Sequence, residues 1–143
     1  MTYLDAYALI ALVRDEAAAE EVEALLRGGD CRVSAVNLAE VVDVSTRVHA
    51  LPLQDVRDVV EPLFIEDLQL ESPKAPHSWK VGELRRRYYR RRERPLSLAD
   101  CFLLAHTQLD EDAVATSDPA VAAAAREEGI ALVALPDGAG RRP

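Results

Sequence analysis

Five short apolar or β-branched runs alternate with longer stretches of helical periodicity, and this alternation constrains the fold more than any other feature of the sequence. The runs are Thr2 to Leu4, Arg32 to Ser34, Ile65 to Leu70, Ala113 to Thr116 and Ile130 to Leu135. Strands separated by helices connect through right-handed crossovers, which makes the sheet parallel and covers both of its faces. The expected fold class is therefore α/β, a three-layer α/β/α sandwich with a five-stranded parallel sheet. With 143 residues the chain has room for one such domain. The pattern predicts it over 1–136, with DGAGRRP at 137–143 as a disordered tail.

The helical stretches have recognisable ends. Ala6 to Val13 is a compact apolar helix, and Asp15 can cap a second one, EAAAEEVEALLR, which Gly28-Gly29 closes. Helices are predicted from Ala35 to His49, from Leu53 to Phe64, and from Ser78 through an arginine run to Pro95. Ser97 caps SLADCFLLAHTQL, and Pro119 opens a last helix that Gly129 ends. The longest uninterrupted apolar run, Ala6 to Val13, is eight residues, far below the roughly 18 to 20 that span a bilayer. No membrane segment is expected, and the unbasic start MTYLD does not read as a secretory signal, which predicts a cytoplasmic protein. Cys31 and Cys101 then read as buried thiols.

In a sheet of this kind, ligands bind beyond the carboxyl ends of the strands, where the strand order reverses. Four acids fall at that edge. Asp5 directly follows the first strand and Asp118 the fourth; each is also explained as a helix cap, Asp118 especially, because Pro119 follows it. Glu40 sits beside the apolar stripe of its helix, where a carboxylate is costly unless paired or bound to a cation; Asn37 and Asp43 can extend a polar seam along the same face. Asp100 lies in LADCFLLA, apolar on nearly every side, although Ser97 and Asp100 also fit a capping box. Four carboxylates in one crevice repel one another, and a divalent cation resolves the repulsion. Oxygen-only donors, with no matching histidine or cysteine set, favour Mg²⁺ or Mn²⁺.

The ordered stretches YLDAYALIAL, VSAVNLAEV, LSLADCFLLAHT and VATSDPAVAAAAREEGIALV resemble the four motifs of PIN-domain ribonucleases, most closely the small VapC-type toxins of toxin–antitoxin pairs. The resemblance covers nearly the whole chain and implies a PIN-like, Rossmann-like fold. It assigns Asp5, Glu40, Asp100 and Asp118 to the acidic metal-binding and catalytic quartet, with Thr116, Asn37 and Ser34 as supporting polar residues. It implies Mg²⁺- or Mn²⁺-dependent hydrolysis of RNA phosphodiester bonds, with Glu40 holding a second metal or acting as general base. A cognate antitoxin and homodimerisation are implied as well. Tyr7 departs from the pattern, because many members carry serine or asparagine two residues after the first aspartate.

The net charge of −8 argues against a nucleic-acid partner when taken alone. Its distribution changes that conclusion: LRRRYYRRRER at 84–94 carries +6, which leaves −14 on the remainder. Arg85, Arg86, Arg90 and Arg91 are the candidates for gripping RNA phosphates, with Tyr89 able to stack on a base. A solvated basic face, or one that docks an acidic protein, is the competing explanation. Two other functions compete with a ribonuclease. A phosphoryl-accepting receiver or a haloacid-type phosphatase lacks its lysine after a strand, and the phosphatase's paired aspartates are broken by Tyr7. A non-catalytic PIN-like protein-binding module remains the alternative, although it leaves four awkward acids without a purpose.

Overall fold

The computed structural model describes residues 1–89 and 95–143. Five parallel strands form one sheet in the order β3-β2-β1-β4-β5. They are β1 (Thr2–Leu4), β2 (Cys31–Ser34), β3 (Leu68–Glu71), β4 (Ala113–Thr116) and β5 (Leu132–Ala134). The chain starts in the middle, winds outward through β2 and β3, then returns to the other side of β1 with β4. The order reverses between β1 and β4, so the carboxyl ends of those two strands flank the crevice of the sheet. Leu4 pairs with Ala115 there, and the Asp5 amide donates to the Ala115 carbonyl at 3.0 Å.

Side-chain alternation along the strands divides the core in two. Leu4, Val33 and Ala115 join Leu9, Ile10, Val22, Val41, Val56 and Val60 on one face, supplied by α1 (Ala6–Arg14), α2 (Ala19–Arg27), α3 (Ala35–Asp43) and α4 (Leu53–Val60). Tyr3 and Val114 join Val81, Leu84, Tyr88, Leu103, Leu104 and Val121 on the other, supplied by α6 (Ala75–Tyr88), α7 (Leu98–Asp110) and α8 (Pro119–Glu127). A four-residue α5 (Leu63–Glu66) precedes β3. The three-layer arrangement and the five parallel strands match the sequence reading. Both cysteines are free and buried, Cys31 in one core and Cys101 in the other. Among the described residues no helix is long and apolar enough to cross a membrane.

Several boundaries differ, each for a local reason. Asp15 does not open α2; it takes the left-handed conformation (φ 53°, ψ 48°) that closes α1, which aspartate tolerates better than most residues. Pro62 interrupts the helix expected from Leu53 to Phe64, because its ring cannot sit inside a helix. The new turn it starts draws Ile65 and Glu66 out of β3, and Ile65 is 79% exposed. The helix from Ala35 runs on past Asp43 with wider π-type bonding over Val44–Val48. The arginine helix begins early, at Ala75, where Pro76 fits the first turn and the Lys74 amide donates to His77 Nδ1 at 2.9 Å. It ends at Tyr88, because Tyr89 is already extended; the continuation expected to Pro95 runs through 90–94, outside the described residues. Residues 137–143 form no helix or strand, but Asp137 accepts hydrogen bonds from the Ala139 and Arg141 amides, and Arg142 pairs with Glu21.

Candidate metal centre

Each of the four acids is placed by a different local device. Asp5 has the backbone of an N-cap (φ −64°, ψ 155°), yet its side chain makes no capping bond. Instead it turns into the crevice, where it is 1% exposed. Its Oδ2 accepts a hydrogen bond from Thr116 Oγ1 at 2.5 Å, and its Oδ1 is buried with no partner. Thr116 Oγ1 in turn accepts from the Asp118 amide at 3.0 Å, so one hydroxyl ties the end of β4 to the end of β1.

Glu40 comes from the second turn of α3. Ser34 caps that helix: its Oγ accepts from the Asn37 amide at 3.1 Å and donates to Asn37 Oδ1 at 2.7 Å. Asn37 also donates to the Ala99 carbonyl, which fixes α3 against α7 beside Asp100. Both Ser34 and Asn37 are fully buried, so they support the site from beneath. Asp100 closes the expected capping box: its Oδ2 accepts from the Ser97 amide at 2.5 Å, while its own amide donates to Ser97 Oγ at 3.0 Å.

One oxygen from each of Asp5, Glu40 and Asp100 lies within 4.8 Å of the others. Asp118 stands outside this triad and performs the capping role that the following proline suggests, its Oδ1 accepting from the Ala120 and Val121 amides at 2.6 and 3.0 Å. Asp43, on the same helix as Glu40, faces solvent and pairs with Arg47 at 2.6 Å.

The triad is electrostatically frustrated. Burial pushes Asp5 up to about 7, aided by Asp100, Glu40 and Asp118 and opposed by the Thr116 hydroxyl. Glu40 is likewise pushed up to about 7, by burial and then by Asp100, with the Asn37 amide opposing. Asp100 is raised by burial, against the pull of the Ser97 hydrogen bonds. Such crowding marks a site that binds either protons or a cation. The unpartnered Asp5 oxygen and the all-carboxylate donor set fit a hard divalent cation, held by Asp5, Glu40 and Asp100.

The profile of the PIN domain family matches residues 2–127. The chain belongs to that family. Solved structures agree with the fold of a PIN domain. One is VapBC2 from Rickettsia felis bound to a DNA fragment from its promoter; the identity is 15%, over 94% of this chain and 99% of that chain, with a TM-score of 0.69. DNA-bound VapBC from Salmonella typhimurium is 19% identical over 92% and 96% of the two chains, at a TM-score of 0.68. VapC20 of Mycobacterium tuberculosis, a sarcin-ricin loop cleaving toxin, is 16% identical over 87% and 95%, at 0.67. A search of curated proteins finds no match to the chain.

The candidate arginines of this PIN domain differ in how far they are already engaged. Arg85 is half-buried and already engaged: it donates to the Leu96 carbonyl at 2.9 Å, and its guanidinium lies 4.4 Å above the Tyr89 ring. It thereby braces the segment that delivers Ser97 to Asp100. Arg86 is exposed. Arg90 and Arg91 lie outside the described residues. Sequence reading did not anticipate a buried pair on the opposite core, His77 and His106, whose rings stack at 4.0 Å with both Nε2 atoms buried and unpartnered. Their separation along the chain carries no spacing signal.

Proposed function

We propose that this PIN domain is the toxin of a toxin–antitoxin pair, an endoribonuclease that hydrolyses RNA phosphodiester bonds with Mg²⁺ or Mn²⁺. The observation that carries the reading is the buried, unpartnered Asp5 Oδ1 within the carboxylate triad at the strand-order reversal. The cation would be held by Asp5, Glu40 and Asp100, with Asp118 adding negative potential from the rim. When bound, it supplies a Lewis acid for the scissile phosphate and lowers the pKa of a water.

The chain's own residues supply the positioning. Thr116 holds Asp5 Oδ2 and leaves Oδ1 free to face the crevice. The Ser97 amide fixes Asp100 Oδ2. Glu40, on α3 across from Asp100, is the carboxylate assigned to orient the attacking water and take its proton. The exposed arginines near the end of α6, together with Arg90 and Arg91, are assigned to the RNA backbone, because an acidic crevice alone repels phosphate. A cognate antitoxin, a homodimer and a cytoplasmic location belong to the same reading.

The test is cleavage of total RNA with Mg²⁺, Mn²⁺ or EDTA, comparing the natural protein with Asp5→Asn. Cation-dependent cutting that Asp5→Asn abolishes supports the reading. Cutting that persists in EDTA or in the variant rejects the assigned site.

A further inference from the structure

We propose that Arg85 is a positioning residue of the metal centre: through the single peptide group that joins Leu96 to Ser97 it fixes the Asp100 carboxylate, and it is thereby withdrawn from the arginines that grip RNA. Resting on the ribonuclease reading, this assignment separates the arginine that shapes the centre from those that meet the substrate.

One peptide group is held at both of its polar ends. Arg85 Nη1 donates to the Leu96 carbonyl at 2.9 Å, and the Ser97 amide of the same planar, trans unit donates to Asp100 Oδ2 at 2.5 Å. A carbonyl that accepts from a cation polarises the N–H across the peptide, so each bond strengthens the other. The carboxylate is therefore aimed by a guanidinium one peptide away, and fixing one of its oxygens fixes the direction of the other. The return bond, from the Asp100 amide to Ser97 Oγ at 3.0 Å, keeps peptide and carboxylate in one turn.

Arg85 acts from a rigid base. It is half-buried in the last turn of α6, its guanidinium 4.4 Å above the Tyr89 ring. Glu128, at the end of α8, accepts from Tyr88 Oη of α6 at 2.5 Å and from Gln108 Nε2 of α7 at 3.0 Å and pairs with Arg87, which stitches the three helices together. Leu96 is buried in the same core as Leu84 and Tyr88. To reach a phosphate, Arg85 would have to leave the carbonyl of this buried residue without its partner. Arg86, next along the helix, is exposed and carries no such penalty.

Charge and position make opposite predictions. A guanidinium near the centre repels a dication, so if its charge alone mattered, Arg85→Met would tighten cation binding; if it aims Asp100, the same variant weakens it. Mn²⁺ affinity is read by electron paramagnetic resonance at pH 7.5 in the natural protein, Arg85→Met, Arg85→Lys and Arg86→Ala, each shown to be folded by circular dichroism. Arg85→Met should lose about ten-fold, the lower end for outer partners of a metal ligand. Arg85→Lys should recover most of that loss through its one donor to Leu96, and Arg86→Ala should match the natural protein. Binding of a labelled oligoribonucleotide in EDTA, followed by fluorescence anisotropy against salt concentration, gives the converse: Arg86→Ala should lower the salt slope by about one, and Arg85→Met should leave it unchanged. Should Arg85→Met fail to fold, Tyr89→Leu, which removes the ring under the guanidinium, should cost about two- to five-fold in Mn²⁺ affinity. Mn²⁺ affinity that is unchanged or raised by Arg85→Met, or by Tyr89→Leu in its place, overturns the positioning role. A salt slope lowered by Arg85→Met overturns the withdrawal from RNA. If the oligoribonucleotide binds no protein at any salt concentration, the ribonuclease reading falls, and the Mn²⁺ comparison decides the role of Arg85 by itself.

Discussion

Asp5→Asn should stabilise the cation-free protein at alkaline pH, even though it removes a residue at the heart of the site. In the fold the Asp5 carboxyl is carried from 3.8 to about 7, first by burial and then by the neighbouring acids. An acid whose folded pKa lies above its unfolded pKa binds more protons folded than unfolded, so its contribution to stability falls as pH rises between those values. Below pH 4 the group is neutral in both states and costs nothing. Above pH 7 its ionisation costs the fold about 4 kcal/mol, at about 1.4 kcal/mol for each pKa step. Asparagine has nearly the same shape and can still accept from Thr116, so it removes the charge and leaves the geometry. Urea unfolding in EDTA at pH 5 and pH 8 reads the effect. The natural protein should lose several kcal/mol across that range, and the variant distinctly less, ending more stable at pH 8. Adding Mg²⁺ at pH 8 should raise the midpoint of the natural protein only. If Asp5→Asn is the less stable protein at pH 8 in EDTA, or if both proteins share one pH slope, the buried, cation-dependent carboxylate is refuted.

Further outcomes follow from individual contacts. Thr116→Val deletes the hydroxyl that donates to Asp5 and accepts from the Asp118 amide; it should cost about 1.5 to 3 kcal/mol in urea unfolding at pH 8 and raise the Mg²⁺ concentration needed for cleavage. Ser97→Ala should destabilise the protein by about 1 kcal/mol through the lost cap of α7, with cleavage reduced as Asp100 loosens. His106 is held down to about 4, by burial and then by His77. A base depressed in this way resists protonation in the fold, so its stability contribution falls as pH drops from 6.5 towards 4. His106→Gln should flatten the acid side of the stability profile measured by thermal melting.

The sheet and its two cores were legible because short β-type runs and longer helical stretches have different periods, and because proline, glycine and serine mark helix ends. Asp5 was findable because an acid directly after a strand must lie at the sheet's functional edge. Its capping explanation fails only in three dimensions, where the side chain turns away from the helix. Asp118 shows the opposite outcome. Its place after the fourth strand and the family resemblance grouped it with the other three, but the proline that follows it makes capping its structural role, and it stands outside the triad. The Asp100 capping box was visible as Ser97-x-x-Asp100, whereas the bond from Arg85 to the Leu96 carbonyl was hidden within a run of like charges. The stacked His77 and His106 were invisible, because nothing local brings together residues from α6 and α7.

The most direct test of the acidic metal centre is Mn²⁺ binding followed by electron paramagnetic resonance at pH 7.5, in the natural protein and in Asp5→Asn and Asp100→Asn, each first shown to be folded by circular dichroism. The natural protein should sequester Mn²⁺ and release it to competing Mg²⁺, and both variants should lose at least ten-fold in affinity. Mn²⁺ binding that is equal in all three proteins would contradict the centre formed by Asp5, Glu40 and Asp100.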